Sequence, residues 1–520
     1  MFEYLRRLAT TGAAYTASSV VSKLIAVFLL PVYTAYLTPS DYGAAEVMLA
    51  SVVAASIVIR FGVIEALLRF YYLAGERPER VVSTSFAALF WAATAGAAVG
   101  LALAEPISEL LLDRSDAGLA RLAVLGLWTL TLWEYVLTLL RLDERARAYF
   151  TITVVNVIVT IPFTVWLVVV EDMGADGILL GTFGTGAIFL GWRLWRERRR
   201  IALVPERSLL RRMVRFGLPT MPAELSLYSL NFIDRIVIAR LAGLAEAGLY
   251  ALAIKFAQGM NVLARGFQLA FPPLAYSIAD DDEARRAYSL VFTWFAAVCA
   301  FGVAGLWLLS RWIVELLAAP EFFEAHEAIG LLATGISLYA LYLVLVVVLG
   351  RTGRTEFNFP ATAAGTAANI ALNLILVPPH GIVGAGIALV ASYLVVLGLM
   401  YLLTQRLFPV PYEWARLGLL IAVTAATVAA GELLLPTEGF GGLASRTALW
   451  LALPALLLAT GFLTPEERAS LRRMLAPAAV RARLRELASA PAAGPAEEER
   501  RRAGPEVYEQ ATRDEDRFGS

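Results

Sequence analysis

The 520-residue sequence contains few of the residues on which metal sites and nucleotide-binding loops depend. Its single cysteine, Cys299, excludes an intramolecular disulfide, and its two histidines, His326 and His380, have no metal-ligand companions nearby. Only two of the 44 basic residues are lysines, and neither Lys23 nor Lys255 stands in the Gly-Lys-Ser/Thr arrangement of a Walker A loop. The formal net charge is zero, which indicates no nucleic-acid partner. The sequence therefore predicts no metal, no cofactor and no enzymatic activity.

Long hydrophobic runs dominate the chain. Hydrophobic residues make up 59% of it and the mean hydropathy is +0.67, whereas soluble domains contain about 45–50% apolar residues. Many of the runs reach the length of about 20 residues that a helix needs to cross a bilayer. We therefore expect an all-α polytopic membrane protein with about fourteen transmembrane helices. The predicted spans are 12–34, 44–66, 82–104, 119–140, 149–170, 177–192, 216–239, 247–275, 288–310, 328–350, 357–377, 381–403, 417–435 and 444–463.

Arginine is distributed unevenly between the loops on the two sides of the predicted membrane. With the N-terminus inside, the inside segments carry 23 arginines and the outside loops carry four, which are Arg114, Arg240, Arg311 and Arg446. Because cytoplasmic loops are enriched in Lys and Arg, this asymmetry predicts an even number of spans. It also predicts a multi-pass protein of the cell inner (cytoplasmic) membrane with both termini in the cytoplasm.

The two halves of the chain repeat each other. At an offset of 205 residues, Gly43 corresponds to Gly248 and Arg60 to Arg265, and at an offset of 207, Gly174 and Gly177 correspond to Gly381 and Gly384. Six predicted spans separate equivalent positions, so both copies enter the membrane from the same side and form a parallel repeat.

This repeat predicts five segments. They are an N-terminal six-helix lobe (1–200), a basic cytoplasmic linker (201–215), a C-terminal six-helix lobe (216–405), two extra transmembrane helices (406–463) and a cytoplasmic amphipathic and disordered tail (464–520).

Ionisable residues inside the predicted spans are the candidates for a functional site, because a charge in the membrane interior is costly and usually faces a polar cavity or a partner. Span 7 carries Thr220, Glu224, Tyr228, Asn231 and Arg235 at intervals of 4, 4, 3 and 4, which places them on one helical stripe. The candidate substrate-binding residues are Lys23, Arg60, Arg235, Lys255, Arg265, Tyr15, Tyr228 and Asn231, and the candidate ion-coupling residues are Glu224 and Asp234. For Arg60, snorkelling to the interface is an equal alternative, and for Asp234 the alternative is a structural pair with an arginine or lysine.

Two stretches resemble a known family. The first span ends in a string typical of polysaccharide flippases, with matches at Pro31, Tyr33, Thr34, Leu37, Pro39, Asp41, Tyr42 and Gly43. The second half begins similarly, with Phe216-Gly217-Leu218-Pro219, then Asn231-Phe232-Ile233-Asp234-Arg235 and Gly248-Leu249-Tyr250. The chain thus resembles the Wzx-type (O-antigen, lipid-linked oligosaccharide) flippases of the multidrug/oligosaccharidyl-lipid/polysaccharide exporter superfamily.

The resemblance implies a function. Such a flippase moves a polyprenyl-diphosphate-linked oligosaccharide from the inner to the outer leaflet for exopolysaccharide or O-antigen biosynthesis, by alternating access around a cavity lined by spans 1, 2, 7 and 8. An ion gradient is a candidate energy source, and a polysaccharide polymerase and glycosyltransferases are candidate partners.

Three alternatives remain open at the level of the sequence. A multidrug/cation antiporter of the same superfamily would need an acidic cavity, whereas the candidate site is rich in cations. A peptidoglycan lipid precursor flippase can also have fourteen spans and a cationic cavity. A membrane-embedded glycosyltransferase or polymerase would need a large outside loop with catalytic carboxylates, and the longest outside loop, near 311–327, is short.

Overall fold

In a computed structural model, the described residues are 29–73, 77–354, 357–465 and 467–468, and within them all regular secondary structure is helical. Short 3₁₀ helices cover Leu218–Thr220 and Pro320–Ala325. The α-helices are α1 (Leu30–Tyr36), α2 (Pro39–Arg60), α3 (Val63–Phe70), α4 (Pro78–Ala102), α5 (Ala104–Leu112), α6 (Ala117–Leu142), α7 (Ala146–Val169), α8 (Gly174–Glu197), α9 (Arg207–Gly217), α10 (Met221–Leu241), α11 (Leu244–Ala257), α12 (Met260–Ser277), α13 (Asp281–Leu317), α14 (His326–Arg351), α15 (Asn358–Leu407), α16 (Trp414–Leu434) and α17 (Gly439–Ala459).

The helices coincide with the predicted spans from the second to the fourteenth, which confirms the all-α polytopic fold. Among the described residues, ten helices are long and apolar enough to cross a membrane. The helix α15 counts once among these ten, although it contains the eleventh and twelfth predicted spans. Most of the first predicted span lies outside the described residues, together with the candidate residues Tyr15 and Lys23 and most of the tail.

Two of the predicted spans are divided in the structure. The second span breaks between α2 and α3, where Phe61 and Gly62 have φ angles of 33° and 72°. A Cβ atom at Gly62 would lie 1.9 Å from the carbonyl oxygen of Gly217, so the break lets two backbone segments meet. The eighth span breaks at Gln258 and Gly259, between α11 and α12. Helix periodicity does not signal either break, because both flanking segments remain apolar.

The internal repeat is visible in the backbone conformation of its glycines. Gly174 and Gly381 both adopt positive φ angles, 54° and 50°. Gly174 is the first residue of α8, and Gly381 interrupts α15 at the equivalent turn. A Cβ atom at Gly384 would lie 2.2 Å from the carbonyl oxygen of Leu376, although residues eight apart in a straight helix are about 12 Å apart. The chain therefore reverses inside α15, as it does between α7 and α8.

A second pair of equivalent glycines brings the two repeats into direct contact. A Cβ atom at Gly43 in α2 would lie 1.9 Å from the carbonyl oxygen of Leu244, and one at Gly248 in α11 would lie 2.0 Å from that of Pro39. Pro39 and Leu244 are themselves equivalent at the same offset of 205. The contact is therefore reciprocal, as expected for helices related by a pseudo-twofold axis that pack through small residues.

Equivalent acidic residues lie in the first turn of the helix that begins the second span of each repeat. Glu246 in the first turn of α11 accepts a hydrogen bond from the backbone N–H of Ile382 at 3.2 Å. In the first repeat, a Cβ atom at Gly174 would lie 4.0 Å from Cγ of Asp41, which belongs to the first turn of α2. A carboxylate near a helix N-terminus is favourable because the unpaired N–H groups there carry partial positive charge.

The basic linker contains an amphipathic helix that packs on the first repeat. In α9, Leu209 and Met213 are fully buried in a hydrophobic core that includes Leu67 of α3 and Val82 of α4. Its four arginines are exposed.

The chain divides into two compact units, Met1–Pro454 and Ala455–Ser520. In the second unit, the side chains of Thr464 and Glu467 each accept a hydrogen bond from the backbone N–H of the other residue, which is a capping box.

Candidate functional site

The helix α10 carries a polar stripe that faces α2 of the first repeat. Glu224 pairs with Arg60, Tyr228 donates a hydrogen bond to the carbonyl oxygen of Ala50 at 2.9 Å, and Arg235 pairs with Glu46. The partners on α2 run in the opposite order because the two helices are antiparallel. Their spacings of four and seven residues on α10 keep all three side chains on one face. The predicted stripe of span 7 is therefore an interface between the repeats.

At one end of this interface, a single carboxylate holds two cations. Oε1 of Glu46 lies 2.5 Å from Nζ of Lys255, and Oε2 lies 3.3 Å from Nη1 of Arg235. Lys255 also donates a hydrogen bond to the hydroxyl group of Tyr42, and its Nζ lies 4.7 Å from the centre of that ring. Glu46 and Arg235 are only 6% and 5% exposed, so the charges are held out of solvent. We call Tyr42, Glu46, Arg235 and Lys255 the cross-repeat cluster.

At the other end of the interface, one arginine meets two carboxylates. Nη2 of Arg60 lies 2.8 Å from Oε1 of Glu224, and Nη1 lies 3.5 Å from Oε2 of Glu134 on α6. The Arg60 side chain is 9% exposed, whereas those of Glu224 and Glu134 are 36% and 44% exposed. The acidic side chains are thus partly exposed, while the arginine is packed beneath them. The guanidinium group of Arg60 turns back along α2, because these carboxylates and the carbonyl oxygen of Ser56 hold it.

Asp234 is adjacent to Arg235 but points into the second repeat, since consecutive helical residues lie about 100° apart. It is fully buried, and Tyr250 donates to its Oδ2 at 2.5 Å while the amide group of Asn373 donates to its Oδ1 at 2.7 Å. Asn369, one turn before Asn373, is also fully buried. This polar pocket therefore joins α10, α11 and α15 inside one repeat.

One of the remaining candidate residues, Arg265, has a described side chain, and it lies outside these groups. Arg265 on α12 is exposed, and its Nη1 lies 3.5 Å from the side-chain oxygen of Gln268. Asn231 belongs to α10, but its side chain lies outside the described residues, as do Tyr15 and Lys23. Within the ranges that the structure describes, there is no group of three or more His, Cys, Asp or Glu side chains suited to a metal ion.

Several residues that complete the site are not among the predicted candidates. Glu46 lies seven residues after the start of α2 and is an isolated acid in an apolar run. Asn369 and Asn373 are four residues apart in an otherwise apolar helix, a spacing that places two amide groups on one face. These signals were present, but neither indicates which distant residue is the partner.

The sequence of the chain matches known proteins over more than half its length. A family described as "Polysaccharide biosynthesis protein" matches residues 34–327. The succinoglycan biosynthesis transport protein ExoT of Rhizobium meliloti (strain 1021) is 28% identical over an alignment of 330 residues that covers 58% of this chain. The match spans 61% of the length of that relative.

Solved structures of transporters share the fold. A lipid II flippase MurJ in an inward closed conformation superposes with a TM-score of 0.68 at 12% identity, and the match covers 87% of this chain and 99% of that one. An inward-facing multidrug resistance MATE family transporter of the MOP superfamily superposes with a TM-score of 0.60 at 16% identity, covering 76% of this chain and 95% of that one. The family and these structural neighbours are transporters or flippases. With residues 34–327 matched, the chain belongs to the polysaccharide biosynthesis protein family, and it is a multi-pass membrane protein that shares the fold of these transporters.

Proposed function

We propose that this protein flips polyprenyl-diphosphate-linked oligosaccharide units from the inner to the outer leaflet of the cytoplasmic membrane, for cell-surface polysaccharide biosynthesis. The observation that carries the proposal is the cross-repeat cluster, in which Glu46 pairs with both Lys255 and Arg235. A diphosphate group offers two negative phosphates to such a pair of cations and can form charge-assisted hydrogen bonds with both. It therefore competes directly with Glu46.

This competition links cargo binding to movement of the repeats. Glu46 belongs to the first repeat, whereas Arg235 and Lys255 belong to the second. When a diphosphate takes over the two cations, the ionic contact across the Gly43–Gly248 interface is lost and the repeats are free to separate at that end. Alternating access then follows from rocking of the two lobes, 1–200 and 216–405, with the Arg60–Glu224 pair holding the opposite end. Tyr15, Lys23 and Asn231 remain predicted contributors to the same cavity.

The proposed orientation places the Arg60 end of α2 and both chain termini in the cytoplasm. The unequal distribution of arginine between the two sides supports this orientation. Glu224 and Asp234 are the proposed ion carriers, because Glu224 is partly exposed at the contact between the repeats and Asp234 is buried among hydrogen-bond donors. A polysaccharide polymerase and glycosyltransferases are the proposed partners, since they would consume and supply the lipid-linked sugar.

A peptidoglycan lipid precursor flippase is the second candidate, and the superposition on a lipid II flippase over 87% of the chain favours it as an alternative. Both cargoes contain a polyprenyl diphosphate, so the cluster does not distinguish them. A multidrug/cation antiporter is less compatible, because two cations on one carboxylate favour an anionic ligand.

The test is lipid flipping in reconstituted vesicles. A fluorescent polyprenyl-diphosphate oligosaccharide is incorporated, and its movement is followed by its accessibility to a membrane-impermeant quencher. We expect Lys255→Ala to reduce flipping at least tenfold, since a hydrogen bond to a charged group contributes about 1.5–3 kcal/mol. Lys255→Arg should retain part of the activity, because the charge survives while the geometry changes.

The matched control is Arg114→Ala. Arg114 is not part of the cluster, and its Nη2 lies 3.0 Å from Oδ2 of Asp116. This variant should flip at the parental rate. Flipping that is unchanged in Lys255→Ala contradicts the proposed role of the cluster. Faster flipping of lipid II than of the oligosaccharide lipid in the parent protein assigns the second candidate instead.

A further inference from the structure

A small cavity at the arginine-rich ends of the helices lies apart from the site between the repeats. Its volume is about 350 Å³, and it is formed by the end of α6, the start of α7 and the end of α8. One part is lined by the basic and aromatic side chains of Arg147, Arg193, Arg196 and Trp192. The other part is apolar.

Arg193 is the most deeply placed of these arginines. It is 6% exposed, and its Nη2 lies 2.6 Å from Oε1 of Glu197. Its Nε–H group is buried and has no hydrogen-bond partner among the described residues. A buried donor without an acceptor is costly, and most such groups in folded proteins are satisfied by protein or by a bound molecule. The unpartnered donor in the wall of the cavity therefore indicates an acceptor other than the described residues.

Arg147 and Arg196 add uncompensated charge to the same cavity. Both are exposed, and within the described part of the chain neither lies within ion-pair distance of an acidic side chain. The guanidinium group of Arg196 lies 5.2 Å from the centre of the Trp192 ring. Segments 141–148 and 193–200 together hold eight arginines against three acidic residues. The cavity thus favours a negatively charged ligand.

The apolar part of the cavity determines what else the ligand must contain. Ile152, Val155 and Phe189 line it, and Val155 is 39% exposed. Because α7 begins at Ala146, Val155 lies about 13 Å along the helix from its basic end. The cavity therefore runs from charged groups at the membrane edge toward apolar groups at the depth of the acyl chains.

We propose that this cavity binds an anionic phospholipid from the leaflet at the arginine-rich ends of the helices. The phosphate accepts hydrogen bonds from Arg193 Nε and from the guanidinium groups of Arg147 and Arg196, while one acyl chain lies against Ile152, Val155 and Phe189. Basic pockets between transmembrane helices are suited to anionic headgroups. A free phosphate ion has no apolar part to pack against the apolar wall of the cavity, so this wall favours a lipid. The site does not depend on the identity of the transported molecule.

The test measures lipid binding to purified, full-length protein by native mass spectrometry. The added lipids are phosphatidylglycerol and phosphatidylethanolamine with identical acyl chains, and inorganic phosphate is added separately as a competitor. We expect preferential binding of phosphatidylglycerol that inorganic phosphate does not displace. The double variant Arg147→Gln/Arg196→Gln should weaken this binding by about tenfold per lost arginine.

The control variant is Arg198→Gln/Arg199→Gln, which removes the same charge from the same basic segment at two exposed residues that do not line the cavity. It should change binding no more than a few-fold. A separate variant, Val155→Trp, fills the apolar part while keeping every arginine, and it should also reduce binding; it serves if the arginine variant does not fold. Equal binding of both lipids, displacement by inorganic phosphate, or an equal loss in the control overturns the proposal.

Discussion

The substitution Gly248→Ala tests the contact between the repeats. The new Cβ atom would lie 2.0 Å from the carbonyl oxygen and 2.9 Å from the carbonyl carbon of Pro39. Non-bonded heavy atoms in ordinary contact lie about 3.5 Å apart, so α2 and α11 must move apart by about 1.5 Å. Both colliding groups belong to backbone, and no side chain can rotate away. The closed arrangement of this end should therefore lose stability relative to the open one.

The cost of such overpacking is about 1–3 kcal/mol, which shifts the balance between closed and open states by about 5-fold to 150-fold. Distances are measured by double electron–electron resonance between spin labels on Ala35→Cys and Ala245→Cys, two exposed positions in α1 and α11, with the native thiol removed by Cys299→Ala. We expect a new population at longer distance in Gly248→Ala.

The reciprocal geometry sharpens the test. Gly43→Ala should produce the same opening, because its Cβ atom would lie 1.9 Å from the carbonyl oxygen of Leu244. The two substitutions together should cost less than their sum, since separation caused by one relieves the other. Gly191→Ala is the control, because a Cβ atom there meets nothing within 4 Å. A Gly248→Ala distance distribution that matches the parent's would refute the argument from close packing.

The remaining predictions concern coupling, pH dependence and topology. Glu224→Gln should abolish the dependence of flipping on a pH gradient in reconstituted vesicles; unchanged dependence removes Glu224 as a proton carrier. Burial raises the pKa of Asp143, but the hydrogen bonds and charge of Arg200 outweigh it and hold that pKa below its usual range. The stability that this pair contributes should be present above about pH 4 and lost as the pH falls further. In thermal unfolding, Asp143→Asn should not show this acid-dependent loss of stability. An equal loss in the parent and the variant contradicts the prediction. Cysteine at position 41 should react with an impermeant thiol reagent on intact cells and cysteine at position 212 should not; the reverse pattern inverts the proposed orientation.

The sequence predicted the helices well because the membrane leaves few choices for the backbone. Every peptide group inside the bilayer must be paired within its own helix or barrel, so an apolar run of sufficient length predicts a spanning helix directly. The repeat was also readable, because Gly174 and Gly381 occupy a turn whose positive φ angle favours glycine. The breaks at Phe61–Gly62 and Gln258–Gly259 were not predicted, since the chain remains mostly apolar on both sides of each break.

Local composition and helical periodicity predict that the chain is helical, that it repeats, and that Glu224, Tyr228 and Arg235 share one face of a helix. Which charges meet depends on how the helices pack in the folded protein. This packing joined Glu46 to Lys255 across 209 residues and Arg60 to Glu224 across 164, left Arg265 exposed, and turned Asp234 away from its neighbour Arg235. The physical reason is that an ion pair depends on the separation of two side chains in space, and helical periodicity specifies the face of each helix but not the neighbour against which that face packs.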